Sequence, residues 1–361
     1  MTVAVERSGG RSRGAGGKAP AIRLLQAMAG AEHGGAEMHF VRLCIALKRA
    51  GIDQRVLMRP DVARHAELVS AGIEPAEAPF GGWLDPVTRR VFRREIARFR
   101  PRVVLTYMSR ATRMCPKGDF VHVARLGGYY DLKYYRNCDH LVGITPDLVD
   151  HFVDRGWPRE RAHFIPNFVE DRTAPPTDRA ALDTPAAAPL AFALGRLHGN
   201  KAFDVLIEAV ARCPGVHLWL AGEGPLRREL EALAGRLGVA DRTRFLGWQA
   251  DPAPLFAAAD VFVVPSRHEP LGSALLEGWM HRVPVVAAAS QGPRFLISDG
   301  DTGLLVPVDD PGAMAAAIGR LAAEPELAAR LAAAGRAAFE ADYTVAAAVT
   351  RYLELFERVL G

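Results

Sequence analysis

Two glutamates flank a predicted helix start in segment 268–277, which has the sequence His-Glu-Pro-Leu-Gly-Ser-Ala-Leu-Leu-Glu. The segment follows an apolar run that ends at Pro265, and Gly272 and Ser273 form a break that can open a helix. The first-turn N–H groups of such a helix have no intrahelical acceptor, and the positive end of its dipole favours an anion. These N–H groups belong to Ala274, Leu275 and Leu276. A pyrophosphate is therefore the predicted ligand.

The two glutamates of this segment can serve different hydroxyl groups. Glu269 lies before the helix and is free to reach sugar hydroxyls, whereas Glu277 lies one turn in and can accept hydrogen bonds from a ribose. The alternative is that Glu269 is an ordinary loop carboxylate and Glu277 a capping or surface group. Carboxylates are common near helix starts because of the dipole, so the pair alone leaves both interpretations open.

A loop with two cations follows the first predicted strand of the second half. Its sequence, Gly-Arg-Leu-His-Gly-Asn-Lys, places Arg196 and Lys201 on either side of a glycine. Two such cations can neutralise a diphosphate without a metal ion. The alternative is that both are solvated surface residues.

A glycine-rich turn, 30–37, follows the first predicted strand of the chain and leads into a helix. Gly34 and Gly35 allow its backbone to approach a phosphate or sugar closely. The spacing matches neither Gly-x-Gly-x-x-Gly nor a P-loop, which disfavours a dinucleotide-dependent dehydrogenase.

Alternating short apolar runs and amphipathic segments must position these loops. The predicted strands are 22–26, 54–58, 103–106, 120–123, 141–143, 163–165, 190–194, 217–221, 243–246, 261–265, 283–287 and 303–306. The predicted helices are 37–50, 87–99, 146–155 (with Thr145 as N-cap), 203–212, 226–237, 252–258, 273–281, 311–323, 326–341 and 344–360. This order predicts an α/β fold with two parallel sheets, whose ligands bind at the carboxyl ends of the strands.

The predicted domains follow from composition as well as from this pattern. A Pro- and Ala-rich stretch separates two α/β halves, and 361 residues suffice for two cores. The predicted units are a flexible basic tail (1–20), a first domain (21–170), a linker (171–189), a second domain (190–342) and a helix returning to the first domain (343–361).

Charge and cysteine content narrow the function classes. Residues 1–170 carry a net charge of +9 and the remainder −5, so an anionic partner is expected on the first half. The four cysteines are too scattered for a zinc pattern or a disulfide scaffold, which fits a cytoplasmic protein. No apolar stretch approaches the roughly 18 residues of a membrane span. No recognised nucleic-acid-binding module is present, so a nucleic-acid partner is not expected.

Taken together, these segments resemble retaining glycosyltransferases of the GT-B fold, the large family that includes sucrose synthases and bacterial mannosyl- and glucosyltransferases. Glu269-x7-Glu277 is similar to the Glu-x7-Glu signature of that family. The other similar segments are Gly195–Lys201, Gly222-Glu-Gly-Pro-Leu, Phe245-Leu-Gly-Trp248, Val283-Pro-Val-Val, Ser298-Asp-Gly-Asp-Thr-Gly, Asp309-Asp-Pro and, more loosely, Gly34-Gly35-Ala-Glu37 and Ile165-Pro-Asn-Phe168.

The resemblance implies transfer of a sugar from a nucleotide-sugar with retention of configuration. It implies that Arg196 and Lys201 bind the diphosphate, Glu269 the donor sugar and Glu277 the ribose, while Trp248 borders the base. The remaining implied donor-side residues are Gly34, Gly35, Gly222, Gly272, Ser273, Ala274 and Leu275. A UDP-sugar is the favoured donor and GDP-mannose the next.

The acceptor that the resemblance implies is a glycan or a lipid-linked sugar of a surface polysaccharide or lipopolysaccharide. Two alternatives stay open: a nucleotide-sugar epimerase or hydrolase of similar architecture, and a non-catalytic protein that binds a nucleotide-sugar.

The acceptor side of the first half departs from the family pattern. Many relatives place a histidine at a strand end, and here His122 is the nearest candidate, although it can equally be a histidine packed in the core. Arg125 and Asp131 are therefore also acceptor-side candidates.

Asp299-Gly-Asp301 has the form Asp-x-Asp, which metal-dependent glycosyltransferases use, but Asp and Gly also dominate tight turns. A turn is the favoured interpretation, and we expect no metal and no cofactor beyond the nucleotide-sugar substrate.

A basic helix is predicted over Arg89–Arg98, with Arg90, Arg94 and Arg98 on one face. It is either a solvated helix face or a peripheral contact with anionic lipid at the inner face of the plasma membrane.

Overall fold

The computed structural model describes residues 22–31, 34–82 and 84–361. The flexible tail predicted for residues 1–20 therefore lies outside the described residues, and that prediction stays open.

The first half contains a seven-stranded parallel sheet with strand order β3-β2-β1-β4-β5-β6-β7. Its strands are β1 (Arg23–Met28), β2 (Asp53–Met58), β3 (Ala76–Glu77), β4 (Val103–Tyr107), β5 (Val121–Leu126), β6 (His140–Gly143) and β7 (Ala162–Phe164). Its helices are α1 (Gly35–Arg49), α2 (Val62–Ser70), α3 (Pro86–Phe99), α4 (Met108–Met114) and α5 (Pro146–Asp154). Every residue of β4 is buried, as expected for a central strand of a parallel sheet that helices cover on both faces.

The second half contains a six-stranded sheet with strand order β10-β9-β8-β11-β12-β13. Its strands are β8 (Leu190–Leu194), β9 (His217–Ala221), β10 (Thr243–Gly247), β11 (Val261–Val264), β12 (Val285–Ala288) and β13 (Leu304–Val306). Its helices are α6 (Phe203–Ala211), α7 (Arg227–Arg236), α8 (Ala253–Ala258), α9 (Ser273–Met280), α10 (Gln291–Leu296), α11 (Pro311–Ala323) and α12 (Pro325–Asp342). The predicted α/β fold of two parallel sheets is thus confirmed.

Both sheets reverse their strand order at one point, between β1 and β4 in the first and between β8 and β11 in the second. Because β8 and β11 are hydrogen-bonded neighbours, the loops that follow them leave the same edge of the sheet side by side. Ligands of open α/β sheets bind at such switch points. The cationic loop follows β8 and the segment with the two glutamates follows β11, so the topology brings these two motifs together.

The last helix, α13 (Val345–Leu360), returns to the first half. Its side chains Tyr352 and Phe356 are fully buried in one apolar cluster with Leu24 of β1 and Phe40 of α1. Burial of an aromatic side chain of this size stabilises the fold by about 2–3 kcal/mol. The predicted crossing of the C-terminal helix to the first domain is confirmed by this packing.

Candidate active site

The loops after β8 and β11 meet in an ion pair between Lys201 and Glu269. The two side chains are 26% and 12% exposed, so the pair lies at the edge of solvent rather than in the core. Ser266 adds a long hydrogen bond of 3.4 Å from its hydroxyl to the same carboxylate oxygen of Glu269. Lys201 and Glu269, which were predicted to contact different parts of a donor, therefore contact each other.

Arg196 lies in the same loop and is exposed. Within the described part of the chain, its guanidinium takes part in no hydrogen bond or ion pair. The other cation of the loop, Lys201, ends a short 3-10 turn (Gly199–Lys201) that His198 caps by accepting a hydrogen bond from the Asn200 N–H. Arg196 thus presents a cation with unused donors beside Lys201, as diphosphate binding requires.

Arg267 contacts the backbone of this loop at Gly199, and it was not among the predicted site residues. Its guanidinium donates to the Gly199 carbonyl at 2.9 Å and pairs with Asp204 of α6 and with Asp309, each at 2.6 Å. The hydrogen bond to Asp204 raises the pKa of Arg267, so its charge is secure. Arg267 therefore holds the loop that carries Lys201 against α6 and against the segment between β13 and α11.

Helix α9 begins after Gly272, which has a φ of 95° in the left-handed region that favours glycine. The Leu275 N–H donates to the Gly272 carbonyl at 2.9 Å, and the Leu276 N–H donates to it at 3.3 Å. The expectation that both N–H groups are unpaired is therefore wrong, because the first turn is tight enough to satisfy them. Of the described backbone donors at this start, those of Ser273 and Ala274 have no hydrogen-bond partner.

Glu277 lies one turn into α9 and is half-buried. Burial raises the pKa of its carboxyl group, while the charges of Arg42 and Arg172 act in the opposite direction. No hydrogen bond reaches this carboxylate from any residue that the structure describes. It therefore keeps acceptor capacity for an added hydroxyl pair such as that of a ribose.

Gly222 and Trp248 lie beside the cationic loop, after β9 and β10. Gly222 has a φ of 131°, and a Cβ atom there would lie 1.9 Å from the Gly195 carbonyl oxygen, so only glycine fits. Trp248 is 69% exposed. Between them, Arg227 pairs with Glu223 and donates to the Phe245 carbonyl at 3.2 Å. The Gly222 N–H donates to the Gly247 carbonyl at 2.7 Å, so the exposed indole that directly follows Gly247 in the sequence is suited to border a base.

Gly34 and Gly35 open α1 on the first half. A Cβ atom on Gly34 would lie 2.3 Å from a carboxylate oxygen of Glu37, whereas nothing lies near that of Gly35. Glu37 accepts a 2.7 Å hydrogen bond from the Ala31 N–H, and Arg64 donates to the Ala31 carbonyl at 2.5 Å. The glycine turn is thus held by two charged side chains, that of Glu37 at its end and that of Arg64 on α2.

His122 lies in the core, as the alternative interpretation stated. It is 3% exposed near the start of β5 and forms a 2.9 Å hydrogen bond with the Thr106 hydroxyl. Burial lowers the pKa of His122 to about 4, so the ring is neutral. A neutral, enclosed ring near the amino end of its strand lies away from the carboxyl edge where ligands of open α/β sheets bind, which favours the interpretation as a core histidine.

Arg125 and Asp131 have different surroundings. Arg125 is only 3% exposed, and its guanidinium donates to the side-chain oxygen of Asn167. Asp131 is exposed, accepts a 2.9 Å hydrogen bond from the Lys133 N–H and pairs with the Lys133 ammonium at 2.6 Å. The Lys133 hydrogen bonds lower the pKa of Asp131. Asp131 therefore caps a turn, and Arg125 can reach a ligand only through a neighbour.

Asn167 joins the two halves at the start of α9, and sequence reasoning did not select it as a site residue. Its amide nitrogen donates to the Ser273 hydroxyl at 3.0 Å. The only available signal was its position in Ile165-Pro-Asn-Phe168, directly after the last strand of the first sheet.

Asp299-Gly-Asp301 forms a turn, as expected. Gly300 has a φ of 75°, and the Asp301 N–H donates to the Ser298 carbonyl at 3.0 Å. Asp299 accepts a hydrogen bond from the Leu305 N–H at 2.9 Å, so its carboxylate is engaged in the turn. In the part of the chain that the structure describes, no three His, Cys, Asp or Glu side chains form a group that could hold a metal ion.

The chain matches two family models that together span both halves. The model described as Glycosyltransferase Family 4 matches residues 33–172, and the model described as Glycosyl transferases group 1 matches residues 188–324.

Two curated relatives from Rhizobium meliloti match almost their whole length. The chain is 40% identical over 327 residues to the lipopolysaccharide core biosynthesis glycosyltransferase LpsE, an alignment that covers 89% of this chain and 95% of LpsE. It is 37% identical over 333 residues to the lipopolysaccharide core biosynthesis glycosyltransferase LpsD, covering 90% of this chain and 95% of LpsD.

The fold is similar to that of a protein of known crystal structure. HepE from Anabaena, whose crystal structure contains UDP and glucose, superposes with a TM-score of 0.81 over 93% of this chain and 100% of HepE, at 22% sequence identity. The chain therefore belongs to the group 1 glycosyltransferases with a family 4-like first half, and it has their GT-B fold.

Proposed function

We propose that this glycosyltransferase transfers a hexose from a nucleotide-sugar to a lipid-linked or glycan acceptor of the lipopolysaccharide core, with retention of configuration and without a metal ion. One observation carries the proposal: the loop after β8, which carries Lys201 and Arg196, lies beside the loop that leads into α9, and Arg196 has no partner among the described residues. The names of LpsE and LpsD support the lipopolysaccharide core as the destination of the sugar.

The chemistry depends on the charge of the leaving group. When the bond between the anomeric carbon and the phosphate oxygen breaks, the diphosphate gains negative charge. Arg196, Lys201 and the N–H groups of Ser273 and Ala274 would supply the positive charge and the hydrogen-bond donors that stabilise this negative charge. In the proposed reaction the acceptor oxygen bonds to the anomeric carbon on the face that the diphosphate leaves, and its proton passes to a phosphate oxygen.

The Lys201–Glu269 pair gives the two residues separate roles once a donor binds. A diphosphate carries more charge than one carboxylate, so it competes with Glu269 for the Lys201 ammonium. Released from Lys201, Glu269 can accept hydrogen bonds from the donor sugar. Glu277 would accept those of the ribose, since its carboxylate has no other partner among the described residues.

A UDP-sugar is the preferred donor in this proposal, and GDP-mannose is the second candidate. HepE, which shares the fold, was solved with UDP and glucose and also with UDP-glucose. Trp248, exposed at the end of β10, is positioned to border either base.

The proposed function is tested with a panel of UDP-, GDP- and ADP-sugars, with and without a truncated lipopolysaccharide core, in buffer that contains EDTA. We expect one donor to release its nucleotide only when the acceptor is present, and NMR of the product to show the anomeric configuration of the donor. Formation of a free epimer without acceptor indicates the epimerase alternative. Tight nucleotide binding without turnover on any acceptor indicates the non-catalytic alternative, and dependence on Mg²⁺ contradicts the metal-free mechanism.

Peripheral contact with an anionic membrane is proposed for α3. Arg90, Arg94 and Arg98 are exposed on this helix. Leu84 and Val87 at its start are 74% and 54% exposed, so apolar and basic groups lie together. This combination suits the headgroup region of an anionic bilayer, where a lipid-linked acceptor is presented. No helix among the described residues is both long enough and apolar enough to span a membrane.

A further inference from the structure

A chain of side-chain hydrogen bonds connects β5 of the first half to the first residue of α9. Arg125 on β5 donates from its guanidinium to the amide oxygen of Asn167. Asn167 in turn donates from its amide nitrogen to the Ser273 hydroxyl at 3.0 Å. The three side chains are buried or partly buried and come from positions far apart in the sequence.

Arg125 sets the direction of this series of hydrogen bonds. A guanidinium can only donate, so the amide oxygen of Asn167 must face Arg125 and its NH₂ group must face Ser273. The Ser273 oxygen therefore accepts from Asn167, and its own hydroxyl proton points elsewhere. None of the described residues accepts that proton.

Arg125 brings a positive charge that no carboxylate in the described ranges neutralises. It is 3% exposed, its Nε atom is buried without a partner, and no ion pair involves it. Its charge acts on the surroundings: burial, and next the charge of Arg125, lower the pKa of His39 well below its ordinary value. The guanidinium lies over the Tyr107 ring, 5.8 Å from its centroid. The hydrogen bonds through Asn167 lead from this buried charge to the place where the donor phosphate is proposed to bind.

The end of the chain lies where a ligand with negative charge is proposed to bind. Ser273 carries both the hydroxyl of the chain and one of the two unpaired N–H groups at the start of α9, the other being that of Ala274. The hydroxyl proton can therefore join these N–H groups at one anion.

We propose that Asn167 is a positioning residue that aligns the Ser273 hydroxyl to donate to the sugar-linked phosphate of the donor, with Arg125 fixing the orientation of the Asn167 amide. The inference rests on the proposed nucleotide-sugar donor. It adds to that function a hydrogen bond from Ser273 that discriminates nucleoside diphosphates from monophosphates and that depends on Asn167 of the first half.

The discrimination is measured as the ratio of the Kd values of UMP and UDP by calorimetry, and of GMP and GDP if the wild type prefers guanine. A hydrogen bond to a charged group contributes about 1.5–3 kcal/mol, so Ser273→Ala and Asn167→Ala should each weaken UDP binding about tenfold or more. Neither substitution should change the affinity for UMP. Because Asn167 acts only through Ser273, the double variant should bind UDP no more weakly than Ser273→Ala alone.

The variant Asn167→Asp distinguishes a positioning role of Asn167 from an effect of the substitution on folding. A carboxylate still accepts from Arg125, so the melting temperature should not fall, but it cannot donate to Ser273 and draws the hydroxyl proton toward itself. UDP affinity should fall at least as far as in Asn167→Ala. Asp171→Asn is the matched control, because it removes the charge of the ion pair that the same segment forms with Arg336 of the second half. Arg336 contacts α9 only at its last residue, through the Met280 carbonyl, and not at its start. Its UMP-to-UDP ratio should equal that of the wild type.

The outcomes distinguish this inference from the proposed function. A wild type that binds none of the nucleotides contradicts the function itself. A wild type that prefers UDP over UMP, with the same preference in Asn167→Ala and Asn167→Asp, overturns the inference and leaves the function standing. Equal losses for UDP and UMP, or additive losses in the double variant, also overturn it.

Discussion

At the scale of single residues, Lys201 and Glu269 share an ion pair but are assigned different tasks toward the donor. Lys201→Ala should raise the Kd of the donor and lower kcat, because it removes a charge that acts on the diphosphate both before and during bond cleavage. Glu269→Ala should mainly lower kcat, by at least tenfold. Steady-state kinetics and nucleotide binding measure the two effects separately.

The control for the lysine substitution is Lys48→Ala, an exposed lysine in the last turn of α1. It removes the same charge away from the loops after β8 and β11 and should keep wild-type kinetics. Wild-type activity in both Lys201→Ala and Glu269→Ala would show that the assignment of these residues is wrong.

His122 provides a prediction on pH. Burial lowers its pKa to about 4 in the folded state from 6.5, so between these values the unfolded chain binds more protons. The free energy of unfolding therefore falls as the pH is lowered from 6.5 to 4, by about 3 kcal/mol for this group, and the dependence ends below pH 4. His163 and His281, each with a pKa lowered by burial to about 4, add to the same window.

Replacing the histidine isolates its share of this dependence. His122→Gln should lower stability at pH 7, because the hydrogen bond to Thr106 is disturbed, and should flatten the pH dependence relative to the wild type. Urea unfolding at several pH values between 4 and 7 gives both quantities. Parallel curves for the two proteins would contradict a neutral buried ring.

At the scale of elements, Arg267 links the loop after β8 to α6 and to Asp309, two residues before α11. Arg267→Lys keeps the charge but cannot make the forked contacts to Gly199, Asp204 and Asp309 at once. We expect the donor KM to rise by about tenfold while the melting temperature changes little, since the ion pairs are partly exposed.

The matched control for Arg267 is Arg242→Lys, which removes a comparable set of hydrogen bonds to three carbonyl groups. That arginine lies before β10, away from the loop, so the variant should lose stability and keep the donor KM. Equal donor KM values in Arg267→Lys and the wild type would show that the loop does not need this support.

Many elements were predictable because the sequence pattern and the tertiary structure agree. The bounds predicted for β8, β9 and α11 are those observed, since apolar runs there end at clear Gly, Pro or polar boundaries. Helix α10 was not predicted, because Gly292-Pro293 in its first turn resembles a break. The strand β3 was not predicted either, because two residues are too few to show the alternation of apolar and polar side chains that indicates a strand.

The candidate site was predictable only in part, because local sequence patterns identify some of its residues and contacts between distant parts of the sequence define the others. Lys201, Glu269 and Ser273 lie in loops with a recognisable local composition. Arg125, Asn167 and Arg267 act through partners 42 to 106 positions away, and no local pattern encodes such contacts. The three became visible only once the fold had placed them.

At the scale of the whole molecule, the basic charge of the first half is concentrated on one accessible helix, α3. Each arginine near an anionic membrane surface contributes about 1 kcal/mol, so Arg90→Ser with Arg98→Ser should weaken binding to phosphatidylglycerol vesicles by about 30-fold. Vesicle sedimentation at low salt measures this, and higher salt should reduce the difference.

A charge-matched variant on the other half serves as the control. Arg228→Ser with Arg236→Ser removes the same charge from exposed positions on α7. It should bind vesicles as the wild type does. Equal weakening in the two variants would indicate that net charge, not α3, governs adsorption.

Because α13 packs against β1 and α1, the first half of the fold is built from two stretches of the sequence that are far apart, the residues up to 170 and α13. A fragment that stops at residue 170 lacks the helix that covers its own interior, so it should be insoluble, whereas adding residues 345–361 in trans or by a short tether should restore it. Exchanging the first half between this glycosyltransferase and a relative would therefore require transplanting both stretches together, with the intervening second half left as an insertion.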